Sequence, residues 1–152
     1  MDLPQTGGCQ CGAVRYELSA EPLTLYVCHC RECQRQSAAA FGMSLRVPAD
    51  GFRITRGEPK AWHRPADSGN TVACYFCPDC GTRLYHGAPH RPETVNVRPG
   101  SLDDTGWLAP VGHVWARRAQ PWVAVPEGPT TYAGQPDDFT PLIEAWRRQS
   151  GS

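Results

Sequence analysis

The sequence lacks both a net charge and long apolar segments. Its 15 basic and 15 acidic side chains cancel, and charged residues make up only 20% of the chain. Without a basic excess there is no electrostatic footprint for nucleic acid or anionic lipid. Residues 1–8 do not combine a basic start with an apolar run, and no segment approaches the roughly 18 apolar residues of a membrane helix. We therefore expect a cytoplasmic protein that binds neither nucleic acid nor membrane.

Glycine and proline are abundant instead, with 15 of each among 152 residues. Helix interiors tolerate neither residue well, so this composition favours short strands joined by turns. Eight segments alternate β-branched or aromatic residues with polar ones and are predicted to be strands: 13–19, 23–28, 41–47, 52–55, 71–76, 83–86, 94–98 and 113–117. The predicted fold class is therefore mainly β.

One amphipathic helix is predicted at the C-terminus. Apolar residues recur there at i, i+3, i+4 and i+7: Phe139, Leu142, Ile143 and Trp146. Thr140 is suited to cap this helix, and Pro141 to occupy its first position. Residues 126–136, which precede the helix, are rich in proline and typical of a connector.

Eight cysteines are the most informative feature of the chain. They fall into three groups: Cys9 and Cys11; Cys28, Cys30 and Cys33; and Cys74, Cys77 and Cys80. Disulfides are not maintained in a reducing cytosol, so clustered cysteines in this setting are better explained as metal ligands than as a disulfide framework.

The spacing of the cysteines predicts how they bind metal. Cys77 and Cys80, followed by Gly81, have the form of a zinc knuckle, in which a tight turn places two thiolates on one ion and the glycine can adopt positive φ. Two more ligands can come from either C-x-C pair, because residues two apart on an extended segment project to the same face. Spacing alone leaves open which pairs share an ion.

The eight thiols can divide as four plus four, or as four plus three with one left over. Four thiolates close a tetrahedron around a structural ion, whereas three leave a position open, as in catalytic sites. A single zinc ribbon from Cys30 and Cys33 to Cys77 and Cys80 is another arrangement, but the intervening residues 34–76 are far more than the usual 15 to 20 or so.

Four motifs follow one another along the chain: Gly8-Cys9-Gln10-Cys11-Gly12-Ala13-Val14-Arg15-Tyr16, Cys28-His29-Cys30-x-x-Cys33-Gln34, Phe76-Cys77-x-x-Cys80-Gly81-Thr82, and Gly100-Ser101-Leu102-Asp103-Asp104 with Pro110 and His113. Their order resembles that of the GFA family, which comprises glutathione-dependent formaldehyde-activating enzymes and relatives of centromere protein V. The resemblance runs from about residue 7 to residue 122. It implies a β-tent fold of short antiparallel sheets, with residues 3–125 as the zinc-binding domain and 126–152 as connector and helix.

The resemblance also implies two zinc ions per chain. The structural zinc has four ligands: Cys9, Cys11, Cys77 and Cys80. A second, open zinc site is formed by Cys28, Cys30 and Cys33, which are the candidate catalytic residues. The implied activity is that of a carbon-sulfur lyase similar to S-(hydroxymethyl)glutathione synthase, which joins glutathione and formaldehyde.

Three thiolates on one zinc ion give a local charge of minus one. Such a site is a weaker Lewis acid than a three-histidine zinc site, so hydrolysis is the poorer hypothesis. It can still bind a substrate thiol and leave its sulfur nucleophilic toward a small aldehyde. Glutathione is anionic, so Arg15, Arg31 or Arg35 could offset the charge of the site, although surface arginines are more often simply solvated.

Several other polar residues have structural interpretations that compete with functional ones. Cys74 could close the second site, cover it, or be a small buried hydrophobe; its odd spacing from Cys77 on a strand directs it away from the structural zinc. His29 lies between two ligands and should point away from them, so a role behind the ligands or at the surface is favoured over ligation. The composition around Asp103 and Asp104 is typical of a turn, which favours a structural role for both. His86 and His113 could be acid or base groups, but histidines in proteins more often have structural roles.

Two other functions remain as alternatives. A non-catalytic, zinc-stabilised binding module is also compatible with the family resemblance, and two closed four-sulfur sites would favour it. Cysteine redox chemistry is less well supported, because the C-x-x-C motifs lack the βαβ context of thioredoxin-like proteins.

Overall fold

The computed structural model describes residues 1–66 and 68–151. Asp67 lies outside the described residues, as does Ser152, which ends the predicted C-terminal segment 126–152. The described chain is mainly β, as predicted, with ten strands in two sheets and two α-helices. The strands are Gln5–Gly8 (β1), Arg15–Leu18 (β2), Thr24–Cys28 (β3), Gly42–Pro48 (β4), Phe52–Arg56 (β5), Lys60–Pro65 (β6), Thr71–Phe76 (β7), Arg83–Gly87 (β8), Thr94–Val97 (β9) and His113–Val114 (β10). The helices are Arg31–Ser37 (α1) and Thr140–Ser150 (α2). Neither is long and apolar enough to span a membrane.

The chain divides into two compact units. The described residues within 1–22 and 46–107 form the first unit, and those within 23–45 and 108–152 form the second. The first unit carries five cysteines: Cys9, Cys11, Cys74, Cys77 and Cys80. The second unit carries Cys28, Cys30 and Cys33. The domain boundary expected after residue 125 stays a prediction.

In the first unit, β2 pairs antiparallel with both β1 and β5. Tyr16 on β2 is fully buried, and its hydroxyl shares a 2.8 Å hydrogen bond with Ser101 Oγ. Gly7 on β1 passes directly over this tyrosine: a Cβ at position 7 would lie 2.5 Å from the Tyr16 ring and 2.6 Å from the Ser101 carbonyl oxygen. The glycine is therefore required for the close approach of β1, which leads straight into Cys9.

The same unit contains an antiparallel run of β6, β7, β8 and β9. Cys74 lies in the middle of β7, opposite Trp62 on β6 and His86 on β8. Its side chain has no solvent exposure. Cys77 follows directly after β7, so this strand delivers the knuckle to its position.

In the second unit, β10 runs parallel to β3, with His113 opposite Val27 and Val114 opposite Cys28. Every residue of β3 is buried. The helix α2 packs Leu142 against the cluster that contains Cys28 and Cys33. The core of this unit therefore contains Cys28 and Cys33, and Cys30 packs against it.

The helix predicted at the C-terminus is present, but its start differs from the prediction. Phe139 occupies the cap position, Thr140 is the first helical residue, and no side chain of the cap residue closes the helix. The N–H of Thr140 instead binds Asp138 Oδ1 at 2.9 Å. The assignment of Thr140 as cap was wrong because the aspartate two residues earlier supplies the acceptor.

All eight predicted segments contain a strand, whereas β1, β6 and α1 were not predicted. The helix α1 has the sequence Arg-Glu-Cys-Gln-Arg-Gln-Ser, which shows no apolar period. The strand predicted over 113–117 covers only His113–Val114, because Trp115 has a left-handed backbone with φ of 58° and leads into a 3₁₀ turn. Local pattern could not reveal either feature.

Candidate metal centres

In the folded chain all the cysteines except Cys74 form two groups. The first cysteine group consists of Cys9, Cys11, Cys77 and Cys80, and it has the geometry of a closed metal site. The sulfur atoms of Cys9, Cys11, Cys77 and Cys80 all lie within 4.8 Å of one another. Cys11 Sγ is 3.5 Å from Cys9 Sγ and 3.7 Å from Cys77 Sγ. Four thiolates at the usual zinc-sulfur distance of about 2.3 Å would lie about 3.8 Å apart in a tetrahedron. The four donors therefore fit one tetrahedral ion.

A tight turn after β1 presents the first pair of sulfurs. Cys9 N and Val14 O form a 3.0 Å hydrogen bond, and Gly12, with φ of 77°, donates to Cys9 O at 3.0 Å. Val14 N–H also donates to Cys9 Sγ at 3.1 Å. This bond orients the sulfur and favours its thiolate form.

The knuckle after β7 presents the second pair. Gly81 has φ of 76° and donates to Cys77 O at 2.9 Å, which confirms the positive φ expected at this position. Thr82 Oγ1 lies 3.2 Å from Cys80 Sγ and accepts a 3.1 Å hydrogen bond from Gln10 N. Thr82 thus ties the two halves of the site together, a role that the sequence motif did not predict.

The surroundings of Cys80 and Cys11 shift the pKa values of these two thiols in opposite directions. Hydrogen bonds from the hydroxyl and the backbone N–H of Thr82 lower the pKa of Cys80 to about 5. A backbone N–H at Ala13 favours ionised Cys11, but the nearby Cys9 and Cys80 sulfurs outweigh it and raise the pKa of Cys11 to about 12. Without a cation, four adjacent thiolates repel one another. A divalent ion would relieve this repulsion, which is the chemistry expected of a thiolate metal site.

The second group consists of Cys28, Cys30 and Cys33, whose sulfurs also lie within 4.8 Å of one another. Cys28 ends β3, Cys30 is the N-cap of α1, and Cys33 lies in the first turn of that helix. The N–H of Cys33 donates to Cys30 Sγ at 3.3 Å. Residues at the cap and third helical position lie on the same side of a helix, so the local fold converges all three sulfurs.

The second group lies in apolar surroundings. Cys28 and Cys33 are buried with Tyr26, Val114 and Leu142, while Cys30 is partly exposed. The adjacent Cys30 and Cys33 thiols, together with burial, raise the pKa of Cys28. As in the first group, a cation is the natural means of holding three neighbouring thiolates in their charged form.

Cys74 is a member of neither metal-type group among the described residues. It is fully buried on β7 and bonds weakly to the carbonyl of Val72 at 3.9 Å. The four-plus-three division of thiols therefore matches the structure, and the buried-hydrophobe interpretation of Cys74 is the one it favours. None of the eight cysteines forms a disulfide.

His29 is likewise absent from the three-cysteine group. Its ring is fully buried and nearly parallel to that of His113, with His29 Nε2 2.9 Å from His113 Nδ1. A surface role for His29 is thereby excluded. The structural role expected of His113 is consistent with this contact.

The acidic and basic residues near the motifs have separate partners. Arg15 donates to both oxygens of Asp103, and Thr6 Oγ1 donates to the same carboxylate at 2.6 Å. Asp104 accepts from Gly106 N at 2.9 Å, and these contacts are consistent with the structural roles predicted for both aspartates. Arg35 pairs with Glu32 at 2.7 Å on the exposed face of α1.

Arg31 differs from these arginines. Its guanidinium donates to Gln34 Oε1 at 2.7 Å, and no carboxylate lies in ion-pair range of it within residues 1–66 and 68–151. Gln34 itself was not recognised as a site residue from the sequence, although it directly follows Cys33 in the motif.

The mainly β scaffold carries two cysteine groups that could each hold a metal ion. The protein therefore belongs to the class of β proteins with cysteine metal sites. Comparison with known families then specifies the class. The family model for GFA, described as glutathione-dependent formaldehyde-activating enzyme, matches residues 4–118. The chain belongs to the GFA family, which confirms the resemblance drawn from the motifs.

Individual relatives agree with this assignment. A protein of Halomonas elongata, provisionally named a glutathione-dependent formaldehyde-activating enzyme, is 26% identical over 152 residues and covers 95% of each chain. A Sordaria macrospora protein with the same provisional name is 28% identical over 89 residues, which are 55% of this chain and 37% of the relative. A crystal structure of a Rhodobacter sphaeroides protein matches with a TM-score of 0.53 at 24% identity, covering 66% of this chain and 90% of that one. This last likeness shows the fold alone.

Proposed function

We propose that this protein is a zinc-dependent carbon-sulfur lyase that forms or cleaves an S-hydroxymethyl adduct of glutathione or another small thiol in the cytoplasm. The observation that carries the proposal is the three-cysteine group in the second unit. It shares no cysteine with the four-cysteine group of the first unit. A closed group suits a structural ion and a three-donor group suits a reactive one. The family membership and the names of the relatives supply the substrates.

The donor chemistry supports zinc as the ion at both groups. Thiolates are the ligands that zinc prefers in tetrahedral structural sites, and cysteine is rare in calcium or magnesium sites. Cys9, Cys11, Cys77 and Cys80 would hold the structural ion. Cys28, Cys30 and Cys33 would hold the second ion. A zinc ion bound there would supply a Lewis acid that favours the thiolate form of a substrate thiol.

The remaining chemistry depends on the residues around the group. Cys30 is its partly exposed member, so substrate would approach from its side, whereas buried Cys28 and Cys33 have apolar neighbours that exclude water. In the synthetic direction the thiol sulfur forms a bond to the carbonyl carbon, the carbonyl π bond breaks, and the proton lost from sulfur is balanced by one gained at oxygen. The reverse reaction releases thiol and aldehyde.

Arg31 supports an anionic thiol as substrate. It lies next to Cys30, is exposed, and donates a hydrogen bond to the neutral side chain of Gln34. Its positive charge would attract the carboxylates of a glutathione-like molecule and offset the negative charge of three thiolates. Arg15 and Arg35 are less suited to this role, because each already pairs with a carboxylate.

The experiment that tests the proposal combines metal analysis with kinetics. Protein purified under reducing conditions should contain about two zinc ions per chain, and it should accelerate adduct formation from glutathione and formaldehyde above the uncatalysed rate. Cys30→Ser should abolish the acceleration. Cys74→Ala is the matched control and should retain it, because Cys74 belongs to neither group.

Two results would contradict the proposal. A single zinc ion per chain would remove the second metal site. Two ions without acceleration of any thiol and aldehyde pair in a screen would leave the zinc-stabilised binding module as the better explanation.

A further inference from the structure

Gln34 is buried beside the second cysteine group, and its side chain uses its full hydrogen-bonding capacity. Its amide nitrogen donates to the carbonyls of His29 at 2.7 Å and Arg118 at 3.0 Å. Its amide oxygen accepts from Arg31 at 2.7 Å and from Gln120 at 3.4 Å. A side chain with only 5% exposure and four partners is costly to disturb, because its own buried polar atoms would be left without hydrogen-bond partners.

The partner carbonyl of His29 belongs to the peptide between two candidate ligands. His29 N–H donates to Val114 O at 3.0 Å, and the His29 ring is held by His113 at 2.9 Å. The backbone N–H, backbone carbonyl and ring of this residue are therefore all anchored. Cys28 and Cys30 flank His29 directly, so these bonds restrict where their two sulfurs can lie.

Gln34 supplies the connection to the third sulfur. It follows Cys33 in α1, and its backbone N–H donates to Cys30 O at 3.0 Å while its side chain returns to His29 O. These two bonds join the end of β3 to the first turn of α1. Besides the bond from Cys33 N–H to Cys30 Sγ, hydrogen bonds that involve no sulfur atom therefore restrict the separation of the three sulfurs.

We propose that Gln34, together with His29, is a positioning residue that pre-arranges the three thiolates of the second group for a metal ion. This inference rests on the metal role proposed for that group. Groups that orient metal ligands from behind typically contribute 10- to 100-fold or so to metal affinity. Gln34 acts through His29 and the helix, not by contact with the ion.

The test is a zinc competition titration of the whole chain against a chromogenic chelator, which resolves the two sites by affinity. Gln34→Met keeps the side-chain volume but removes all four side-chain hydrogen bonds, so the second-site dissociation constant should rise by about 10- to 100-fold while the first site is unchanged. Gln34→Glu should be worse, because it places a carboxylate oxygen against two carbonyl oxygens. Gln149→Met is the control: it removes an exposed 2.8 Å hydrogen bond to Ala109 O in the same unit.

A spectroscopic readout separates positioning from simple packing. Cobalt substituted at the second site should show thiolate charge-transfer and d-d bands that differ between wild type and Gln34→Met, since the bands report ligand geometry. If Gln34→Met is too unstable to purify, His113→Phe serves instead: it keeps a ring against His29 but removes the Nδ1 contact, and it should weaken the second site in the same direction.

Second-site affinity and cobalt bands equal to wild type in Gln34→Met, or in His113→Phe if that variant is used, would overturn the inference. So would an equal loss in Gln149→Met. A wild-type protein that binds only one ion would overturn the inference and the proposed function together. If Gln34→Met weakens zinc binding at the second site as expected but the wild type shows no catalysis, the inference stands and only the proposed function is contradicted.

Discussion

The hydroxyl of Thr24 on β3 donates a 3.1 Å hydrogen bond to the backbone carbonyl of Leu142 on α2. Both residues are fully buried, and the Leu142 side chain belongs to the apolar cluster of Cys28 and Cys33. The C-terminal helix, which follows the family match ending at residue 118, therefore contributes to the surroundings of the second cysteine group.

The burial of the Leu142 side chain in this cluster predicts the effect of Leu142→Ala. The substitution should lower the free energy of unfolding by about 2–5 kcal/mol, because it removes a fully buried side chain and leaves a cavity. It should also speed zinc loss from the second group to a chelator. Ile143→Ala, at the half-buried neighbouring position, is the control and should cost clearly less in chemical denaturation. Equal costs would contradict the packing described for α2.

The two cysteine groups should differ in their importance for folding. Cys77→Ser removes a ligand of the four-sulfur group, and it should abolish cooperative thermal unfolding because a structural ion contributes directly to stability. Cys30→Ser should give a folded protein with about one zinc ion fewer. Circular dichroism with metal analysis measures both effects. Collapse of both variants alike would show that the groups do not have separate roles.

The ion pair of Arg15 and Asp103 should stabilise the protein in a pH-dependent way. Hydrogen bonds from Arg15 and then Thr6 lower the pKa of Asp103 in the folded state. Its contribution is therefore complete above the unfolded pKa of about 3.9 and is lost as pH falls through the lower folded value. Because both side chains are partly exposed, Asp103→Asn should cost only about 0.5–1 kcal/mol at pH 7.

Urea denaturation of wild type and Asp103→Asn at several pH values measures this difference. The difference between the two stabilities should shrink once the pH falls below about 4, as Asp103 becomes protonated in the folded protein. A difference that grows with acidification would have the wrong sign for a carboxylate with a lowered pKa.

Gly7 should not tolerate a side chain. Gly7→Ala places a methyl group 2.5 Å from the Tyr16 ring, and such overpacking should destabilise the chain by about 1–3 kcal/mol. Gly100→Ala is a matched control, because a Cβ there meets no atom within 4 Å. Thermal denaturation should rank Gly7→Ala well below both wild type and Gly100→Ala; similar stabilities would show that β1 can move away from Tyr16.

Sequence reasoning predicted the local geometry of the cysteine motifs well, because that geometry depends on short spacing along the chain. Cys77 and Cys80 are close on a tight turn whatever the rest of the chain does, and Gly81 shows the positive φ that the motif requires. Alternation of apolar and polar residues likewise marks strands such as Thr71–Phe76, whose bounds match the prediction. Short helices with polar sequences, such as α1, carry no comparable pattern.

The amino-acid sequence by itself determined the mainly β class, the C-terminal helix, the family, and the thiol groups available for metal. The tertiary structure brings Cys9 and Cys11 to Cys77 and Cys80, as the family resemblance implied, and it alone placed Cys74 outside both cysteine groups and directed the Gln34 side chain back to His29. Those outcomes depend on strand pairing and side-chain direction across residues far apart in the chain. Spacing along a sequence restricts distances only between residues that are close in the chain. Contacts between distant residues are set by the folded structure.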